Sequence, residues 1–257
     1  AKVSFTNTRN GINYDTSDPT LVQDDYFRYK EQIYALYADY SREYSERFSM
    51  QLGLRMEHTR TTGISEAKDT EDKHDYTRLF PTVYLLYSPT DGHALNFSFS
   101  NRISRPSQNM VNPFPFYQNK YTYACGREDL KPSYTYNVEL GYTLKNNFNV
   151  SAYYSYSDDV FFQVVDLDAE TNVTSFLWEN FMQTHAFGLN NSYTFRTKWL
   201  QAYAQHGVSY RRTTSSAATT SPEEKGWAYD ASLRNTFFFN EKKTLLATLS
   251  LSLIHIS

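Results

Sequence analysis

The chain is short of cysteine, of long apolar runs and of net charge, and each shortage excludes a class of protein. A single cysteine, Cys125, cannot close an internal disulfide, so a disulfide scaffold is excluded. No window approaches the roughly 18 consecutive apolar residues of a membrane helix, so the chain is not a helical membrane protein. A net charge of -3 without a basic cluster argues against nucleic-acid binding.

Aromatic residues are what the sequence has in excess. Phe, Trp and Tyr make up 17% of the chain, with 23 Tyr and 18 Phe, yet the mean hydropathy is polar at -0.63. A transmembrane β-barrel combines these two properties, because half of each strand faces a watery lumen and aromatic girdles ring both membrane interfaces.

The segment 133–144 alternates between two kinds of residue almost without error. Successive side chains of a strand point to opposite faces, so one face is apolar while the other is polar and carries Glu139. Crossing a bilayer takes about 9 to 11 residues, whereas a strand of a soluble protein usually has about 5 to 6. The same alternation recurs over 48–57, 95–104 and 227–239. The apolar parity holds Tyr134, Tyr136, Val138, Leu140, Tyr142 and Leu144.

The connections between predicted strands alternate between short turns and long loops. Outer-membrane barrels have short periplasmic turns and long external loops, so the sequence predicts an all-β, antiparallel, up-and-down transmembrane β-barrel. The predicted long loops are 15–25, 65–75, 106–132, 166–172 and 214–225. The eleven predicted strands are 2–14, 26–44, 47–64, 77–88, 94–105, 133–145, 148–165, 174–195, 199–213, 226–239 and 244–253.

Eleven strands predict an incomplete barrel. Bacterial single-chain barrels have an even number of strands, and an open sheet would expose two edges to lipid. We therefore expect residues 1–250 to be part of a larger barrel, with its partner strands and export signal outside this chain. The last residues, 251–257, are expected to be a tail that is not native.

Four motifs around the longest loop carry a resemblance to a known family. They are Asn-Arg-Ile-Ser-Arg-Pro at 101–106, Asn-Pro-Phe at 112–114, Asp-Leu-Lys-Pro at 129–132 and Asn-Val-Glu-Leu-Gly-Tyr at 137–142. In this order they resemble the outer-membrane β-barrel family of the TonB-dependent receptor type, in its Bacteroidota form. One departure is Arg127-Glu128, where the family usually has Asn-Pro.

The resemblance implies a receptor that lies in outer-membrane lipid, binds a nutrient at the cell surface and moves it to the periplasm. It implies a plug domain N-terminal to the barrel, which is not in this sequence, and a TonB-type energy-coupling complex of the inner membrane. A surface lipoprotein is a further candidate partner. Neither a cofactor nor nucleic acid is implied.

Ligand-contact candidates lie in the loop 106–132 and at its start. Flat aromatic faces mixed with amides suit sugars, peptides and aromatic chelators alike. The alternative interpretation is that these residues only pack the loop onto the barrel mouth. Arg102 and Arg105 are interpreted either as contacts for an anionic ligand or as partners of lumen carboxylates such as Glu139. The candidates are Arg105, Asn112, Phe114, Phe116, Tyr117, Asn119, Tyr121 and Tyr123.

A second function remains open, that of a soluble all-β domain that binds carbohydrate or acts as an adhesin. An enzyme is not predicted, because the chain has no nucleophile elbow of the Gly-x-Ser-x-Gly type. Its histidines show no paired metal-ligand spacing, and the acidic stretch 66–75 matches no EF-hand pattern. The sequence therefore predicts no catalytic, cofactor or metal site.

Overall fold

The computed structural model describes residues 1–12, 25–65, 70–217 and 220–256, which form one mainly antiparallel sheet of 13 strands and a single short helix. None of these described residues lies in a helix long and apolar enough to span a membrane. The elements are β1 Lys2–Ile12, β2 Asp25–Ser45, β3 Phe48–Ser65, β4 Thr70–Tyr87, β5 His93–Ser104, α1 Gln108–Val111, β6 Phe116–Asn119, β7 Thr122–Cys125, β8 Ser133–Leu144, β9 Phe148–Asp168, β10 Val173–Arg196, β11 Leu200–Ser215, β12 Glu223–Phe238 and β13 Leu246–Ile256.

Eleven of the strands form a wall in which chain neighbours are also sheet neighbours. The order runs from β1 to β5, then from β8 to β13, and each wall strand is antiparallel to the next. The small strands β6 and β7 form a hairpin within the connection between β5 and β8, and β7 pairs in parallel with β10. In the described sheet, β1 and β13 stand at the two ends. The architecture confirms the predicted up-and-down, incomplete barrel.

Two predicted loops are wrong because the strands continue through them. β4 begins at Thr70, so most of the predicted loop 65–75 is strand, and β9 and β10 leave only residues 169–172 of the predicted loop 166–172. The extension of β4 carries polar residues on both faces, so it lacks the apolar alternation that marks a membrane strand. The extension of β9, Asp-Leu-Asp at 166–168, is too short to show one. Of the predicted loop 15–25, only residue 25 is among the described residues. The acidic residues Glu66 and Asp69 lie outside them.

The register gives the wall two chemically different faces. On β3 the apolar residues Met50 and Leu52 pair with Leu85 and Val83 of β4, so one face is continuous across strands. On β12 the apolar face runs from Trp227 to Phe237. Ten steps of about 3.3 Å at a tilt of about 40° span about 25 Å, the height of the apolar band on an outer-membrane barrel.

Aromatic rows border this apolar band at both edges. In the upper row, ring centroids of Tyr210 lie 5.2 Å from Phe187 and 5.0 Å from Trp227. At the lower edge, Phe148 and Tyr193 are register partners next to the tight turns. Such girdles place amphipathic rings at the two membrane interfaces. The upper row consists of Tyr154, Phe187, Tyr210 and Trp227.

The opposite, lumen-side face of the wall is polar and closely fitted. Glu139 of β8 lies on it, as its parity predicts, opposite Ser98 of β5. Gly188 of β10 lies under the ring of Tyr153, which would be 2.6 Å from any added Cβ. Glycine is therefore needed here so that the tyrosine can lie flat against the wall.

A bulge separates the lower part of β9 from its upper part. The β9–β10 register shifts on both sides of Met182, and Asp159 has a φ of 53°. A bulge adds one residue to a strand and bends it. Above this point β9 and β10 continue as an external hairpin that extends beyond the membrane band.

Candidate ligand-binding mouth

The external rim of the wall has a notch above two neighbouring strands that are shorter than the strands beside them. β5 and β8 have 12 residues each, whereas β4 has 18 and β9 has 21. The β4–β5 ladder stops at the pair Thr82–Ser100, next to Pro81, which has no N–H to donate. The connection 105–132 between β5 and β8 occupies this notch and is called the mouth loop below.

The mouth loop has a small hydrophobic core that joins distant strands. Val111, Phe114 and Leu130 pack against Phe27 of β2, and the ring centroids of Phe27 and Phe114 are 6.4 Å apart. Phe161 of β9 and Trp178 of β10 pack against the same cluster. The loop therefore bridges the mouth from β2 to β9 and β10, on the lumen side.

Arg105 fixes the start of the mouth loop to strands β2 and β3. Its Nη2 donates to Oε2 of Glu57 at 2.7 Å and to Oγ1 of Thr59 at 3.2 Å. Its Nε lies 3.8 Å from Oε1 of Glu31, and the side chain is only 19% exposed. Arg105 is thus paired with lumen-side carboxylates, but its partners are Glu57 and Glu31, not the predicted Glu139. Arg102, by contrast, is exposed.

The surroundings of Arg105 keep it charged and keep its tyrosine neighbours neutral. Burial raises the pKa of the Tyr29 and Tyr76 phenols and also raises the pKa of the Glu31 carboxyl, which Arg105 partly offsets. Burial alone would lower the pKa of Arg105, but its hydrogen bond to Glu57 raises the pKa above its ordinary value. These residues lie above the apolar band. A permanent cation therefore stands among neutral phenols and two carboxylates at the base of the loop.

Two of the ligand candidates are buried within the mouth loop. Asn112 is 8% exposed and Phe114 is 6% exposed. The Asn112 Oδ1 accepts a hydrogen bond from the backbone N–H of Phe114 at 3.2 Å. Both residues therefore build the loop. In the same way, the Asn119 Oδ1 accepts from the N–H of Tyr121 at 2.8 Å and closes the turn between β6 and β7.

The remaining candidates lie on the β6–β7 hairpin with their rings more accessible. Phe116 is 57% exposed and Tyr121 is 51% exposed. The rings of Tyr117 and Tyr123 pair across the hairpin at a centroid distance of 5.4 Å. The structure thus gathers four aromatic candidates on one short hairpin at the external end, separated from the buried Asn112 and Phe114.

The last part of the mouth loop, 126–132, crosses the notch from β4 to β10. On the β4 side, Nε2 of His74 lies 3.4 Å from the backbone oxygen of Glu128. On the β10 side, the Asn180 amide accepts from the N–H of Lys131 at 2.8 Å and donates to its carbonyl at 2.9 Å. Arg127 donates to Glu179 at 2.9 Å, so the departure from the family pattern at this position supplies an anchor.

Family comparison agrees with this two-faced wall. The model of the outer membrane protein beta-barrel family matches residues 1–253. The chain belongs to that family. It is therefore an outer-membrane protein, its apolar face lies in lipid, and the alternative of a soluble domain is wrong. None of the curated proteins matches the chain.

Solved barrels share the fold of this family member at low sequence identity. The copper transporter OprC has a TM-score of 0.54 and 13% identity, over 90% of the chain and 39% of OprC. The FrpB iron transporter from Neisseria meningitidis has a TM-score of 0.50 and 14% identity, over 84% of the chain and 33% of FrpB. The siderophore receptor PirA from Pseudomonas aeruginosa has a TM-score of 0.49 and 12% identity, over 97% of the chain and 60% of PirA. The chain thus spans less than two thirds of each structure.

Several residues of the barrel mouth escape sequence reasoning. Glu57 and Thr59 of β3 hold Arg105 from more than 40 positions away, and Asn180 holds Lys131 from a similar separation. The one sequence signal was the parity of Glu57, which places a charge on the lumen side of a membrane strand. Among the described residues, no group of three His, Cys, Asp or Glu side chains is arranged to hold a metal ion.

Proposed function

We propose that the chain forms part of the wall and of the external ligand-binding surface of an outer-membrane receptor that takes up a nutrient. The observation that carries this proposal is the mouth loop, which folds into the opening of a membrane-spanning wall and presents exposed aromatic residues there. A barrel built only to anchor a protein has no need for a loop packed across its mouth by both a hydrophobic core and a buried ion pair.

The proposed uptake involves further parts beside the wall and the mouth. The proposed complete protein has a plug domain N-terminal to the barrel and works with a TonB-type energy-coupling complex, with a surface lipoprotein as a further partner. Transport is favoured over catalysis by the names of the similar structures. OprC is a copper transporter, FrpB is an iron transporter and PirA is a siderophore receptor. The present chain supplies the wall and the mouth.

Within this receptor, the proposed ligand contacts are the exposed residues Phe116 and Tyr121 and the half-buried residues Tyr117 and Tyr123. Their rings offer flat apolar surface, and the tyrosines add hydroxyl groups for hydrogen bonding. Arg105, Asn112, Phe114 and Asn119 support these contacts indirectly, because their side chains are used within the loop and at its base.

The test uses the complete protein that contains this chain. Cells that rely on it for a ferric siderophore, for copper, for a peptide or for an oligosaccharide are compared with and without the energy-coupling complex. We expect coupling-dependent uptake of one of these solutes. The double variant Phe116→Ser, Tyr121→Ser should weaken its binding about tenfold or more, because two desolvated aromatic contacts are lost.

The matched control is Phe239→Ser, which removes an aromatic residue of similar exposure, 64%, at the opposite end of the wall. Heat-modifiable gel migration verifies that each variant still forms a barrel. Coupling-independent growth on every solute would contradict the uptake proposal. Unchanged binding by the double variant would contradict the assignment of the contact residues.

A further inference from the structure

The external hairpin of β9 and β10 continues with β6 and β7 into a four-stranded surface that has one apolar row. Two members of this row, Phe116 and Val165, are 57% and 49% exposed, and Leu167 lies next to it. Phe176 shares its face with Trp178, whose ring packs against the core of the mouth loop, so the row faces the mouth. In strand order the row is Phe116, Ala124, Phe176 and Val165.

This apolar row lies in water, beyond the membrane. Phe176 is eleven residues beyond Phe187, which belongs to the upper aromatic girdle. Large apolar side chains exposed in a contiguous patch outside a membrane indicate a binding surface. The row crosses three strand spacings of about 4.8 Å, so it extends over about 14 Å, a length that matches an extended peptide of about four residues.

The charge of the same hairpin is of one sign. Residues 146–195 contain six carboxylates and not one Lys or Arg, although the whole chain carries a net charge of only -3. Among the described residues, the one ion pair to these carboxylates is that of Arg127 with Glu179 at 2.9 Å. All six lie in the upper part of the hairpin. They are Asp158, Asp159, Asp166, Asp168, Glu170 and Glu179.

We propose that this surface binds a cationic amphipathic peptide, which is then the ligand class of the receptor proposed above, and the inference rests on that function. The apolar side chains of the peptide pack on the row of Phe116, Phe176 and Val165. The carboxylates of Asp166 and Asp168 lie on the other face of the hairpin. Packed sheets lie about 10 Å apart, and the Debye length at physiological salt is about 8 Å, so these carboxylates attract the cations of the peptide without touching them and more weakly as salt rises. The same carboxylates repel an anionic chelate.

The binding test uses the complete protein in a neutral detergent and two dye-labelled decapeptides of equal length. One alternates Lys with Leu, the other alternates Glu with Leu, and both are titrated by fluorescence anisotropy against protein and against empty micelles. We expect the Lys peptide to bind at least about tenfold more tightly than the Glu peptide and to weaken as salt rises. Equal binding, or tighter binding of the Glu peptide, would overturn the proposal.

Variants separate the apolar contribution from the charge. Phe116→Ser with Val165→Ser should lower the affinity for the Lys peptide about tenfold at every salt concentration, because the packing surface is lost. Asp166→Asn with Asp168→Asn should slow association and remove most of the salt dependence while dissociation changes little. The matched control is Asp75→Asn, which removes one ion-paired carboxylate from the opposite side of the mouth. The proposal would be overturned if the Asp166→Asn, Asp168→Asn variant binds like the parent, or if the Asp75→Asn control loses binding.

The outcome for the receptor itself is measured separately. Coupling-dependent uptake of another solute, without binding of the Lys peptide, overturns this inference and leaves the proposed function standing. Binding of the Lys peptide without any coupling-dependent uptake overturns the proposed function and, with it, the assignment of the peptide as a transported ligand.

Discussion

The two external extensions of the wall, the upper parts of β2 to β4 and the hairpin of β9 and β10, handle charge in opposite ways. On β3 and β4, cations and anions alternate and pair, as in Arg60 with Asp75 at 2.8 Å and Lys73 with Glu71 at 2.9 Å. The β9–β10 hairpin carries carboxylates alone. A polar strand outside the membrane can therefore serve either as a neutral support or as a charged surface, and its mean hydropathy does not distinguish the two.

The difference extends to how each region is held together. The β2–β4 side contains the buried pair of Arg105 with Glu57, which ties the mouth loop to the wall. On the β9–β10 side, the membrane part is closely packed, as in Tyr153 over Gly188, and the amide of Asn180 ties the hairpin above it to the mouth loop. Three substitutions probe this contrast, from the largest expected effect to the smallest.

Arg105→Met should have the largest effect, because the buried carboxylate of Glu57 loses its partner at 2.7 Å and keeps only Arg55, 3.4 Å away. Breaking a buried pair from one side costs about 3–5 kcal/mol. The measurement is the urea concentration at which a protease cleaves half of the mouth loop in the complete protein. The double variant Arg105→Met, Glu57→Gln should recover part of the loss, whereas Arg102→Met, at an exposed site, should change little. A single variant as stable as the parent would show that the pair does not hold the loop.

Gly188→Val tests whether the β9–β10 side depends on packing. The new side chain meets the ring of Tyr153, and overpacking of this kind costs about 1–3 kcal/mol. The temperature at which heat-modifiable migration is lost should fall for the single variant and recover in Gly188→Val, Tyr153→Ala. If the tyrosine truncation gives no recovery, the clash is not the cause.

Acidification should weaken the anchor of 126–132 by a small amount. The hydrogen bond from Arg127 holds the pKa of the Asp129 carboxyl below its usual range. A carboxyl whose pKa is lowered on folding contributes stability that is present above its unfolded pKa and lost as the pH falls through its folded pKa. Both side chains are about half exposed, so the contribution is below about 1 kcal/mol.

The measurement for this last case is protease susceptibility at the Arg127–Glu128 bond as the pH is lowered from neutral toward the acid range. Asp129→Asn should raise cleavage at neutral pH to the level that the parent reaches only in acid, and should show a flatter pH profile. A parent whose cleavage does not change with pH would contradict the role of this carboxylate.

The alternation of residues predicted the membrane part of the fold because lipid and lumen impose opposite chemistry on the two faces of a strand. Leu140, which is exposed on the lipid side, and Glu139 on the lumen side follow from parity alone. The upper part of β4 did not follow, because water bathes both of its faces and no alternation is required there. The start of β4 at Thr70 is set by pairing with β3, which a single segment does not reveal.

The site was less predictable than the wall. Aromatic and amide residues marked the mouth loop, but composition does not separate Phe114, which is buried, from Phe116, which is exposed. That distinction depends on Phe27 and Trp178, which belong to strands far away in the sequence. The partner of Arg105 likewise depends on which strands curve toward the loop. Ligand contact by the four hairpin aromatics remains a prediction.

The core of the mouth loop has a consequence for the order in which the protein folds. Phe27 belongs to the second strand and Trp178 to the tenth. The cluster that they share therefore joins the two ends of a chain segment that contains most strands of the wall. Contacts between such distant residues form late, because the entropy of closing a long segment is lost before the contact stabilises it. A wall folded only as far as β9 would lack Trp178 and Asn180, and its mouth loop would not yet have its contacts with β10. The opening of the barrel is thus completed after the strands that surround it.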